Sequence, residues 1–223
     1  MKILAIVGLV LLGSLAVVAQ EIPAAEAYAG FTWIRMNPGT HINAFTPVGG
    51  VGAVQYNFNR SVGVVAEFSG TTQGEVSISG PDRALDQTQF TYLFGPRVFI
   101  NKAGRFSPFA EFLFGGVHNS RSFSVANNLL PTPLTVPSGV TVDPGATSTR
   151  FRTTQNAFAM AVGGGFDIKL NHTFALRAIQ LDYLPTHFSP FNIPGIPGTI
   201  NDVKWQHNIR FSAGALFRFG GRS

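Results

Sequence analysis

Five histidines, His41, His118, His172, His187 and His207, are the residues best suited to proton transfer, and His118 stands two positions before Ser120. A histidine base beside a hydroxyl is the start of a nucleophilic site, in which the imidazole takes the serine proton. No acidic partner stands near His118-Asn119-Ser120 in the sequence, and His118 falls at an expected strand end, where its ring suits a membrane interface. No catalytic residue is therefore expected. The histidines show no ligand-like spacing, so no metal site is expected either. The absence of cysteine removes a thiolate zinc site, a cysteine nucleophile and a disulfide framework together, and it suits an oxidising compartment. Gly163-Gly164-Gly165 and Gly49-Gly50 open no helix, so they read as close strand packing or sharp curvature rather than a phosphate loop. No cofactor is implied.

Charge points away from nucleic acid. The net charge is +5 with a pI near 10, but only 12% of residues are charged and no run of Lys or Arg occurs. The composition, 45% hydrophobic with 25 Gly and 21 Phe, excludes a disordered tail, a coiled coil and a highly charged helical enzyme. Residues 1–19 read as a secretory signal peptide: Met1-Lys2 supplies the basic start and residues 3–18 the apolar stretch. Val17 and Ala19 place small residues three and one before a cut ahead of Gln20. The remaining domain, residues 20–223, has no second apolar run of the ~18 residues that a spanning helix needs.

The elements that must position any site are strands. From Trp205 to Phe219 the odd positions carry Trp205, Ile209, Phe211, Phe217 and Phe219, and the even ones Gln206, Asn208, Arg210, Ser212 and Arg218. A period of two with aromatics on one side is a strand, and this one is long enough to cross a bilayer at a tilt. The same alternation runs through 62–70, 88–100 and 156–169, and more weakly through 25–36, 46–57, 106–119 and 173–185. In the last of these, Arg177 and Asp182 have opposite parity, so either one faces lipid or a bulge near Ala178 resets the register, and the bulge is expected.

Eight such strands fit a soluble sandwich or lipocalin-like barrel with its greasy face inward, or a membrane barrel with that face outward. Connections after the second, fourth and sixth strands are short, at 57–61, 101–105 and 170–172. The others are long, at 37–45, 71–86, 120–154 and 186–204. Sorting of loops by side is expected of a membrane barrel with both termini in the periplasm. The expected fold is all-β, an eight-stranded antiparallel up-and-down transmembrane β-barrel after an N-terminal signal peptide.

Ser212, Gly214, Phe217 and Phe219 resemble the C-terminal strand signal read by the barrel-assembly machinery of Gram-negative outer membranes, although residues 220–223 follow in place of a terminal aromatic. Phe94-Gly-Pro-Arg97, Pro108-Phe-Ala-Glu111 with Gly115-Gly116, and Leu181-Asp-Tyr183 resemble segments of the OmpA/OmpX-like small outer-membrane barrels. The resemblance covers essentially the whole chain after the signal peptide, without the periplasmic peptidoglycan-binding domain of the longer form. It implies a monomer of the outer membrane in contact with its lipid and lipopolysaccharide, with a structural or surface-interaction role. A small diffusion pore is the alternative. A more distant one follows from His118-Asn119-Ser120, which resembles the His-x-Ser spacing of lipid A deacylase barrels.

Parity then assigns the charges. Glu67, Arg97, Glu111, Asp167, Lys169, Asp182, Arg210 and Arg218 are expected to point into the lumen, because a charge in lipid costs about 2–4 kcal/mol near the midplane. Arg97 and Glu111, on adjacent strands, are the expected pair. Near balance of sign favours a polar plug over a one-signed filter. Arg121, Arg150 and Arg152, at the base of the loop 120–154, are expected to contact lipopolysaccharide phosphates. Leu134-Thr-Val136 and Val140-Thr-Val142 in that loop have the alternation to extend a hairpin beyond the membrane. Trp33, Tyr92, Tyr183 and Trp205 suit the membrane interfaces.

Overall fold

Alternation in the sequence becomes two faces in space. The computed structural model describes residues 22–37, 44–77, 84–100, 102, 104–130, 132–134, 136, 139–188 and 205–222. The expected signal peptide and Lys204 lie outside them. The strands are β1 (Ile22–Arg35), β2 (Val48–Asn57), β3 (Val62–Ser77), β4 (Ala84–Phe99), β5 (Phe106–Ala126), β6 (Val140–Pro144), β7 (Ser148–Lys169), β8 (Phe174–His187) and β9 (Trp205–Arg222). Each pairs antiparallel with its neighbours in the order β5-β4-β3-β2-β1-β9-β8-β7-β6, and β5 also pairs with β7. That last pairing closes a ring of eight strands, with β6 outside it. The fold is an eight-stranded antiparallel barrel.

The greasy face is outside. Along β9, Trp205, Ile209, Phe217 and Phe219 are exposed, whereas Gln206, Asn208, Arg210 and Ser212 are buried. Phe31 on β1 is 72% exposed and its neighbour Thr32 is 0% exposed. A water-soluble barrel would carry the opposite pattern, so the outer surface is suited to lipid. Tyr92 shows how that surface is packed. It lies opposite Gly116 in the β4–β5 register, and a Cβ on Gly116 would collide with its ring.

Both ends are organised by local chemistry. In the short turns, Asn59 Oδ1 accepts the N–H groups of Ser61 and Val62, and Asn171 Oδ1 accepts those of Thr173 and Phe174. At the opposite end β5 and β7 run on as a paired hairpin through Ala126 and Ser148, beyond the strand limits that alternation alone suggested. β6 pairs with the β7 edge at Thr149–Thr153, above the stretch of β7 that β8 occupies. Here the lumen side gains an apolar part: Ile34, Met36, Phe45, Phe123, Phe151, Leu184 and Phe188 belong to one buried cluster, with Gln87 and Arg121 against it.

A bulge lies where the sequence required one. The β8–β9 register shifts between Arg177 and Gln180, and the β7–β8 register between Phe166 and Asp167. The reset turns Arg177, Gln180 and Asp182 all inward, and each is fully buried.

Candidate functional site

The lower and middle lumen hold a belt of paired charges. Arg97 on β4 and Glu111 on β5 are opposite each other in register, and Arg97 Nε donates to Glu111 Oε2 at 2.7 Å. Arg177 donates to both Asp167 oxygens, at 2.8 and 3.2 Å, in the forked geometry that suits guanidinium and carboxylate. Arg210 donates to Asp182 Oδ2 through Nε and Nη2, at 3.0 and 2.7 Å, and ion-pairs with Glu67. At the short-turn end Glu26 receives Arg218 Nε at 2.9 Å, Gln55 Nε2 at 2.7 Å and the Lys102 ammonium.

Two glutamines join these pairs into one network. Gln55 donates to Glu26 and accepts from Arg97 Nη1 at 2.7 Å. Gln180 Nε2 is directed at three carboxylates, with Glu111 at 2.8 Å, Asp182 at 3.0 Å and Glu67 at 3.2 Å. Its oxygen accepts from Arg177 Nη1 at 2.9 Å. Every one of the eight barrel strands contributes a member. The Phe109 ring packs under this network, with the Arg97 and Arg177 guanidinium carbons each 4.4 Å from its centroid.

The charges balance: Glu26, Glu67, Glu111, Asp167 and Asp182 stand against Arg97, Lys102, Arg177, Arg210 and Arg218. Each carboxylate already accepts from a guanidinium, an ammonium or an amide. The arrangement therefore fixes its charges, although Glu67 Oε1, Asp182 Oδ1 and Arg210 Nη1 make no hydrogen bond among the described residues. Gly163 makes room for it, since a Cβ there would collide with the Asp182 carboxylate and the Leu181 carbonyl. Lys102 lies in the β4–β5 turn, outside the spanning strands. Burial pushes its ammonium down to about 8, against the opposing pull of Glu26.

A family model described as outer membrane protein beta-barrel domain matches residues 5–217. The chain belongs to that family. Its place is the outer membrane. Among similar solved structures is Ail, the attachment invasion locus protein of Yersinia pestis. It is 17% identical, with a TM-score of 0.52 over 91% of this chain and 100% of that one. Ail in complex with the heparin analogue sucrose octasulfate gives 17% identity and a TM-score of 0.50, over 87% of this chain and 97% of the other. The outer membrane protein OprG from Pseudomonas aeruginosa is 14% identical, with a TM-score of 0.50 over 90% of this chain and 97% of that one. At such identities the likeness is one of fold. No curated protein matches the chain in sequence.

Within this family frame, Glu67, Arg97, Glu111, Asp167, Asp182, Arg210 and Arg218 all lie in the belt. Lys169 does not. It ends β7 at the short-turn rim, half-buried, with no ion pair among the described residues, because its long stem reaches the mouth rather than the lumen. Alternation missed Glu26, Gln55, Gln180 and Lys102, and Arg177 enters the belt by way of the bulge expected near Ala178. Glu26 was legible from its place in an alternating segment, whereas Lys102 sits in a turn, where a period of two carries no information.

The expected lipopolysaccharide contacts need one correction. Arg121 is buried and turned inward, with Nε on Gln87 Oε1 at 3.2 Å and its guanidinium 5.2 Å from the Phe188 ring. It is out of reach of any lipid phosphate. Arg150 and Arg152 are exposed on the hairpin, and Arg150 pairs with Asp86 at 2.6 Å. Of the terminal signal residues, Phe217 and Phe219 face outward, and buried Ser212 donates to Thr32 Oγ1 at 2.9 Å. His118 Nδ1 is bonded to Asn156 Oδ1 at 2.7 Å, with no carboxylate within ion-pair distance of it among the described residues.

Proposed function

We propose that this protein is a monomeric structural and surface-interaction barrel, with a lumen closed by side chains rather than a pore or an enzyme. The observation that carries this reading is the continuous, charge-balanced belt linking all eight strands. A narrow barrel filled in this way has no open path for a hydrated ion. Residues 1–19 direct export and are removed, both termini and the short turns face the periplasm, and the β5–β6–β7 extension faces outward. The assembly machinery reads Ser212, Gly214, Phe217 and Phe219. The extension is the surface offered to partners, with Arg152 and Arg150 as the phosphate- or sulfate-facing groups.

Refolding residues 20–223 in detergent, with a heat-dependent gel shift as the check of folding, allows conductance to be recorded in a planar bilayer. The expected result is folded protein without current steps. Reproducible steps in the wild type would make it a small diffusion pore instead. Altered lipid A mass after overexpression would overturn the non-enzymatic reading.

A further inference from the structure

The short turns carry one sign of charge, with Glu26 the carboxylate just inside the mouth. None of the stretches 58–61, 100–105 and 170–173 contains Asp or Glu, yet they hold Arg60, Arg105 and His172 beside Lys169 and Arg218. The opposite end is mixed, with Asp86 against Arg150. At the short-turn rim, three of these basic groups converge on a cavity of about 200 Å³ lined by Lys169, His172, Thr173, Arg218, Pro23 and Phe219. The turn that shapes it is pinned from two sides. Asn171 Oδ1 holds the N–H groups of Thr173 and Phe174, and Arg218 N donates to Thr173 O at 2.7 Å.

The donors are available. Lys169 has no ion pair among the described residues, and His172 is exposed. Arg218 uses Nε on Glu26, and no hydrogen bond among the described residues takes its terminal nitrogens. Glu26 meets Arg218 from inside the barrel, whereas Lys169 has no ion pair among the described residues, so the cleft keeps a positive potential that favours an anion. Ammonium, imidazole and guanidinium donors around a small cleft match the oxygens of a phosphoryl group through charge-assisted hydrogen bonds.

We propose that Lys169, His172 and Arg218 form a phosphate-binding pocket at the periplasmic rim, taking the phosphodiester of an inner-leaflet phospholipid headgroup or free phosphate. The position of the rim rests on the orientation proposed above, but the chemistry of the pocket does not depend on it.

Full-length mature protein in neutral detergent is titrated with phosphatidylglycerol and read by native mass spectrometry, and separately with inorganic phosphate and read by amide chemical shifts. The variants are K169Q/H172Q, which leaves the ion-paired belt intact, and R60Q/R105Q, which removes at least as much formal charge elsewhere on the rim. All are checked by gel shift. The expected result is one retained lipid, with retention weakened about tenfold in K169Q/H172Q, the size of one lost charge-assisted contact, and little changed in R60Q/R105Q. Shifts at Thr173 and Arg218 with inorganic phosphate but no lipid retention would support the pocket and assign it to soluble phosphate. Equal loss in both variants would overturn the pocket in favour of diffuse charge. So would neither probe distinguishing K169Q/H172Q from wild type. None of these results bears on conductance, so failure here leaves the closed-lumen reading to its own test.

Discussion

Glu26 and Lys102 stand 76 residues apart in the chain, yet the ammonium of one is held by the carboxylate of the other at the short-turn mouth of the barrel. The Lys102 nitrogen also lies 3.6 Å from the Phe99 ring centroid, and its carbonyl accepts from Ser107 Oγ at 3.4 Å. A turn residue thus reaches back into the barrel and closes its lower end.

That burial has a pH signature. Lys102 is held near 8 in the folded protein against an ordinary 10.5, so the unfolded chain binds more protons between those values. Stability from this group therefore rises with pH across that window, by up to ~3 kcal/mol. Below pH 8 both states are protonated and the slope vanishes. Urea midpoints in lipid vesicles should show this rise in the wild type, and K102M should flatten it between pH 8 and 10.

Removing one partner of a buried pair leaves the other stranded. R97M should cost about 3–5 kcal/mol, because Glu111 keeps only its contact with Gln180. The double variant R97M/E111M should recover most of the loss, since it strands no charge on Glu111. Unfolding of both in the same vesicles measures the coupling, and equal destabilisation by single and double variants would contradict it.

Gly163 and Gly74 should respond in opposite ways to alanine. At Gly163 the added methyl meets the backbone at Leu181 and the Asp182 carboxylate, whereas at Gly74 nothing lies within 4 Å. G163A should lose about 2 kcal/mol or more by forcing a shift next to the belt. G74A should be neutral or slightly stabilising. Heat-modifiability on gels, followed by urea titration, separates them.

On the β5–β7 hairpin Arg150 and Arg152 should also differ. Asp86 neutralises Arg150, so D86N should strengthen binding to lipopolysaccharide or to a sulfated polysaccharide at low salt, and R152A should weaken it. R121Q should leave binding unchanged, because Arg121 faces the lumen. Co-sedimentation with lipopolysaccharide at two salt concentrations gives the readout.

Much of this architecture is legible in particular residues. Trp205 to Phe219 alternates without interruption because one face meets lipid and the other meets the lumen. Opposite parity at Arg177 and Asp182 required a bulge, and the register shift between Arg177 and Gln180 supplies it. What stayed hidden has physical causes. Ending the fifth strand at Asn119 obscured Arg121, although continuing the alternation by two residues places it inside. Polar Ser and Thr between 120 and 126 weakened the contrast between faces there, since no lipid demands apolar groups beyond the membrane. Lys102 enters the lumen from a turn, and only the three-dimensional closure brings it to Glu26.

The belt draws on every strand, and Glu26 at the start of the barrel needs Arg218 from its last strand. Arg97–Glu111, Asp167–Arg177 and Asp182–Arg210 pair within single hairpins, but a β1–β2 hairpin alone would carry Glu26 without Arg218, and a β3–β4 hairpin would carry Glu67 without Arg210. Half-built barrels are therefore penalised twice, by open edges and by stranded charge. Ring closure and the neutralisation of Glu26 by Arg218 thus happen together.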